Sequence, residues 1–240
     1  MEKAFDISMI ASFVPTLLGY LPVTLYILAV SLLFGFLLGL LLALPRIYRI
    51  PVLNQFAKLY ISFFRGTPIM VQLFIVFYGI PALTALAGID TSKMDPLYAA
   101  IATYALSSAA RAAEIIRGGV NSVGRGQAEA AFSIGLNRGQ TFRRIILPQA
   151  LVQAFPNIGN MVIGFLKDTS LAFSIGVMDM SGRGQTLITS NNHSLEVYIS
   201  LSVLYYAAAL LFECVFRWAE KRIKKDETRL VTVFDMSAHG

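Results

Sequence analysis

The sequence is poor in charge, in cysteine and in histidine. Only 14% of its 240 residues are Asp, Glu, Lys or Arg, and 56% are hydrophobic, whereas a soluble domain runs near ~25% charged and roughly 45–50% apolar. A lone cysteine, Cys214, excludes a disulfide framework and a thiolate metal cluster. It reads as a small buried hydrophobe at the end of an apolar run. The two histidines, His193 and His239, stand apart from any ligand-like cluster. No Gly-x-x-x-x-Gly-Lys-Ser/Thr run occurs and no Lys follows a Gly, so the chain has no phosphate-cradling loop of its own. No apolar run carries a catalytic set of His, Asp or Glu, which argues against an enzyme. Internal repeats and low-complexity tracts are also lacking, and the N-terminus does not read as a removable signal, because its apolar run far exceeds a signal core.

What is present is long apolar sequence. No Asp, Glu, Lys, Arg or His occurs in Ile7–Pro45, Gly66–Ile89, Ile145–Leu166 or Val197–Phe212, nor in the shorter Pro96–Ala110. About 20 apolar residues cross a bilayer as a helix, because only helices and closed barrels satisfy the backbone there. Five spans are therefore expected, at 21–44, 60–80, 97–116, 148–166 and 196–216. Residues 171–178 read as a short helix at the outer face or dipping into the bundle, followed by a flexible Ser181-Gly182-Arg183-Gly184. The tail after Lys225 lacks an apolar stripe and is expected to be extended or frayed.

The net charge of +6 reflects topology and not nucleic-acid binding, since sixteen of the twenty basic residues fall in alternate connections and the C-terminal tail. The other four are Lys3, Lys93, Lys167 and Arg183. By the positive-inside rule the N-terminus lies outside and the C-terminus in the cytoplasm, which agrees with an odd number of spans.

The long cytoplasmic connection, residues 117–147, is patterned too strongly to be a linker. Ala128–Ile134 is a run of helix formers with Glu129 in its first turn, Gly135 can close it in the left-handed region, and Asn137 can cap a second helix through Phe142, Ile145 and Ile146. Pro148 suits the first turn of the following span. The outcome is a helix–turn–helix at the membrane face, either an interfacial hairpin or a docking site for a soluble partner.

Glu129-Ala130-Ala131, Gly135 six residues after the Glu, and Ile145-x-Leu147-Pro148 resemble the coupling-loop signature of permeases of ATP-binding-cassette (ABC) importers. Phe64-Arg65-Gly66-Thr67-Pro68 with Val71-Gln72-Leu73, Ala113–Gly119 and Lys167-Asp168-Thr169-Ser170-Leu171 resemble the polar amino-acid (histidine/glutamine-type) branch. Arg111 is a departure, standing where relatives carry an aromatic or small residue. The resemblance implies an all-α type I permease domain over 17–219, an external segment 1–16 and a cytoplasmic tail 220–240. It also implies a multi-pass protein of a bacterial inner or plasma membrane. The implied partners are a cytoplasmic ABC ATPase dimer, an extracellular or periplasmic solute-binding protein, and a second permease, identical or related. Bilayer lipid surrounds them and no nucleic acid is involved. ATP and Mg would sit on the ATPase, so this chain holds no cofactor and no metal. Glu129, Ala130, Ala131, Gly135, Ile145, Leu147 and Pro148 would form the mechanical joint to the ATPase.

For the substrate path the residues offer Lys167, Asp168, Arg111 and Glu114, with Asn160, Thr169 and Ser170. Ionisable groups at membrane depth usually face a watery cavity or pair with one another. The plainer alternatives are that Lys167 and Asp168 mark the outer interface and that Arg111 and Glu114 neutralise each other at i,i+3 spacing. Arg65 and Pro68 read equally as a topology anchor and a helix start. Cystine, an opine or an organic cation remain alternative cargoes on the same scaffold. A channel would show a filter-like or ring-forming polar segment, for which only 167–170 could serve, and a non-transporting regulatory subunit would not need the coupling loop.

Overall fold

The computed structural model describes residues 5–237, with side chains as far as Ile223. It is helical from end to end of those residues, without a strand. Helix α1 (Ile7–Leu18) opens on Asp6, whose carboxylate accepts from the Ser8 hydroxyl and N–H. Those bonds hold the Asp6 carboxyl below the usual carboxylate range. Helix α2 (Leu21–Ile47) follows, then α3 (Pro51–Gly66) and α4 (Ile69–Leu86). Helix α5 (Pro96–Ser122) begins on an Asp95 cap, and α6 (Arg125–Ser133) and α7 (Arg138–Thr141) form the long connection that leads to α8. A π-helical turn, Phe142–Ile146, runs into α8 (Leu147–Asp168), and a 3₁₀ segment, Thr169–Ile175, runs out of it. The chain then forms α9 (Met180–Asn191) and α10 (Ser194–Ser237).

Helix α5 is the centre of the bundle, packed against α2, α8, α4 and α3. Small residues make that possible. The buried face of α2 includes Gly35 and Gly39, and a Cβ there would lie 1.9 Å from Ser108 Oγ and 2.7 Å from Ala112 Cβ. Ala109, Ala110, Ala112 and Ala113 of α5 are all fully buried. Within lipid, helices associate through this close backbone approach, since burial of apolar surface supplies no drive there. The opposite face of α2, with Leu33, Phe34, Leu37 and Leu41 exposed, is left for lipid.

Among the described residues, three helices are each long and apolar enough to cross a membrane: α2, α4 and the Ser194–Ile223 part of α10. The pair Arg138–Ile175 and Met180–Asn191, bent by 50°, makes a fourth if it counts as one span. That differs from the expected five. The expected span 60–80 is broken, because α3 ends at Gly66 and α4 starts after Pro68. The expected span 97–116 is α5, which has the length at 27 residues. Its Ala/Ser face and its Arg111, Glu114 and Arg117 make it too polar for a lipid-facing helix, and the helices around it explain why that is tolerated.

Three smaller expectations change, and of the two placements open to residues 171–178 the inward one is taken. The Ser181–Gly184 stretch is not flexible: it forms the first turn of α9, and a Cβ on Gly182 would lie 2.4 Å from the Val177 carbonyl oxygen. The Leu171–Met178 run dips into the bundle as a 3₁₀ segment that buries Ala172 and Ile175. Beyond Lys225 the backbone continues α10 to Ser237, so the tail is helical where an extended end was expected. Cys214 is exposed on α10 and not buried, since the helix turns that face away from the core. His239 and Lys3 lie outside the described residues.

Candidate functional site: a polar groove and a helical hairpin

One face of α5, at Ser107, Arg111, Glu114, Gly118 and Ser122, lines a groove between the α3–α4 junction and α8. The groove holds two adjoining cavities of about 380 and 400 Å³, and Arg65, Glu114 and Ile115 border both. Helix α8 contributes Gln153 and Asn157 to the second. Along α8 these continue into Asn160 and Lys167, all exposed, so one side of this apolar helix carries a polar stripe.

The ionisable residues pair across helices. Arg111 of α5 reaches Asp168 of α8 at 3.4 Å, and its guanidinium lies 4.5 Å from the centre of the Phe165 ring. The pair is partly open, with side chains 40% and 28% exposed. Glu114 does not neutralise Arg111. It accepts instead from Arg117 at 2.8 Å and from Arg46 of α2. Arg65 forms no ion pair among the described residues, and neither does Lys167. The groove is therefore cationic at both levels.

The structure brings Arg111 and Asp168 together and leaves Glu114 one helical turn below. Asn160 borders neither cavity, and Thr169 is turned inward, its hydroxyl donating to the Leu166 carbonyl at 2.7 Å. The Ser170 hydroxyl likewise donates to the Lys167 carbonyl.

In the connection between α5 and α8, Gly135 closes α6 with φ 87°, and Asn137 and Gln140 form a reciprocal capping box. Glu129 sits mid-helix and not in the first turn, because α6 starts earlier, at Arg125. The second helix of the hairpin is continuous with α8 through the π turn, so movement of the hairpin passes directly into a bundle helix. Ala131 is buried against the hairpin, whereas Phe132 and Ile134 are 47% and 78% exposed. A Cβ at Gly135 would meet nothing within 4 Å. Apolar side chains and an open glycine at a hairpin tip form a surface lacking its counterpart.

Residues 31–225 match the family described as the binding-protein-dependent transport system inner membrane component. The chain belongs to that family. It is 80% identical over its full length to the L-cystine transport system permease protein TcyL of Bacillus subtilis, whose full length is also covered. It is 36% identical to the glutamine transport system permease protein GlnP of Escherichia coli, over 92% of this chain and 98% of that one. Among solved structures, an amino acid ABC transporter with histidines superposes with a TM-score of 0.82 at 29% identity, covering 92% of this chain and 100% of that one. The methionine ABC transporter MetNI, in its inward-facing form, superposes at 0.70 and 20% identity, over 86% and 95%, and shares the fold. The protein is thus a membrane-spanning transport component with the type I permease fold.

Two features of this permease escape a reading of its sequence. Asp179, fully buried, caps α9 and accepts from Gly182 N–H at 2.8 Å, with Thr24 and Tyr205 hydroxyls at 3.4 Å. Its partners lie far off in sequence; the one visible signal is an isolated Asp within an apolar run. Arg65 reads locally as an anchor, and only the fold shows it shared by both cavities.

Proposed function

We propose that this chain is the permease subunit of an ABC importer that carries L-cystine or a close amino-acid relative inward. The observation that carries the cargo is the 80% identity, over the whole of both chains, to an L-cystine permease. The groove along α5 serves as the translocation path. At its partly open ion pair, Asp168 receives an α-ammonium group and Arg111 a carboxylate, so a zwitterion replaces each partner with an equivalent charge. That exchange keeps binding weak, as a path that must release its cargo requires.

The hairpin is the joint to the ATPase. Glu129, Ala130, Ala131 and Gly135 present a small, flat surface, Phe132 and Ile134 add apolar contact, and Ile145, Leu147 and Pro148 carry the movement into α8. ATP and Mg belong to that partner, a dimer of ATPase subunits, and an external solute-binding protein delivers cargo. The segment before α1 lies outside and the basic connections lie inside a bacterial cytoplasmic membrane. The test is reconstitution with the ATPase and the binding protein in proteoliposomes. ATP-dependent accumulation of labelled L-cystine is expected, with glutamine a poor competitor. Failure of both amino acids to accumulate would reject the reading.

A further inference from the structure

Gln72 lies in the most apolar stretch of α4, between Val71 and Leu73, and it is 2% exposed. An amide in such a place costs free energy unless its polar atoms are bonded. Its Nε2 reaches three acceptors: the Phe64 carbonyl at 2.9 Å, the Thr67 carbonyl at 3.0 Å and Thr67 Oγ1 at 2.8 Å. All three belong to the joint between α3 and α4.

The joint explains the need. In a continuous helix the Phe64 carbonyl would accept from the N–H of residue 68, and residue 68 is proline, which has none. Thr67 is extended, with ψ 144°, and Pro68 follows it at φ -62° and ψ 135°, so the chain turns a corner and leaves its carbonyls unserved. Gln72, whose own N–H returns to the Pro68 carbonyl at 3.1 Å, supplies the missing donors from the first turn of α4. The bonds fix which way the amide faces: a flipped amide would set Oε1 against two carbonyls. Oε1 has no hydrogen-bond partner among the described residues, so the bonds that hold the side chain are those made by its donors.

The joint also forms one wall of the groove. Phe64, Arg65, Thr67 and Ile69 face Ser107 and Arg111 of α5 across the first cavity. We propose that Gln72 is a positioning residue for translocation, locking the α3–α4 elbow so that Arg65 and Thr67 keep their place on the wall of the path. This rests on the groove along α5 being the path.

The test is the number of cargo molecules accumulated per ATP hydrolysed, a ratio that does not depend on how much complex has assembled. Gln72→Glu keeps the shape and removes both donors; Gln72→Met keeps the length without polarity. Both are expected to lower the ratio by about tenfold, as misplaced groups at a working site do, while binding-protein-stimulated hydrolysis persists. A wild-type ratio overturns the inference, including the case where uptake and hydrolysis fall together. Should neither variant assemble, Gln72→Asn keeps the amide but shortens its reach to the Phe64 and Thr67 carbonyls, and an unchanged ratio there overturns it equally. Absence of ATP-driven uptake in the unaltered complex would instead reject the transport reading, and this inference with it.

Discussion

At the scale of residues, the bundle depends on missing atoms in one place and on charges in another. Between α2 and α5 there is no space for a side chain at Gly39, where a Cβ would lie 2.7 Å from Ala112 Cβ and 2.9 Å from the Ala109 carbonyl oxygen. Gly39→Val should therefore destabilise the detergent-solubilised protein by about 1–3 kcal/mol, the usual cost of overpacking. Gly79→Ala, in α4 with nothing within 4 Å of its Cβ, should leave the melting temperature where it is. Equal shifts in the two would deny that the α2–α5 contact is tight. In the groove the relevant quantity is charge. Asp168→Asn keeps the shape and removes the anion facing Arg111. Uptake should fall roughly tenfold, the loss of about one charge-assisted contact, with the binding protein's own affinity unaltered. Wild-type uptake in both Asp168→Asn and Arg111→Gln would take this pair out of the path.

At the scale of elements, the hairpin carries the clearest expectation. Gly135 holds φ 87° with open space around it, so Gly135→Val meets no neighbour in this chain but forces a β-branched residue into a region it rarely adopts, at about 1–3 kcal/mol. Binding-protein-stimulated ATP hydrolysis should be lost while membrane insertion persists; normal stimulation would remove Gly135 from the joint. This hairpin was legible in the sequence because its signals are local: a glycine after a helical run, Asn137 placed to cap a second helix, a proline at the first turn of α8. The end of α2, at Ile47, was legible for the same reason, because the uncharged run stops at Pro45. The elbow at Thr67-Pro68 was visible as a possible helix start, yet the uncharged run across it hid the break. What stayed hidden depends on distant partners. Asp179 meets Thr24 and Tyr205, Glu114 meets Arg46, and α5 shows itself as the central helix only when its neighbours are in place.

At the scale of the whole molecule, charge and polarity are distributed on two axes, across the membrane and around the bundle. Across the membrane, basic residues crowd the α5–α8 connection, with Arg46 and Arg49 at the end of α2, whereas the α4–α5 connection holds Asp90 and Asp95 against Lys93. Cysteines placed singly at Asp90 and at Arg125, both exposed, in a Cys214→Ala background should react from opposite sides with an impermeant maleimide. Labelling of both in intact cells would sink the orientation. Around the bundle, most of the surface is suited to lipid, but the α8 stripe of Gln153, Asn157, Asn160 and Lys167 is not. In a single bundle that stripe would face hydrocarbon, where unpaired polar groups each cost several kcal/mol, on the order given by transfer to apolar media. Gln153 and Asn157 of that stripe line the groove, so a path enclosed by protein requires another wall. A second permease, identical or related, would provide both a cover for the stripe and the far side of the path. The assembled complex should therefore contain two permease chains for each pair of ATPase subunits, and native mass spectrometry can count them. Disulfide trapping supplies the geometry: a cysteine at Asn160 in the Cys214→Ala background, placed also at the matching position of the second permease where that chain is not identical, should cross-link permease to permease on oxidation, whereas one at Leu37 on the lipid face of α2, paired in the same way, should not. One permease chain per complex, or cross-linking at Leu37 and none at Asn160, would place the second wall elsewhere.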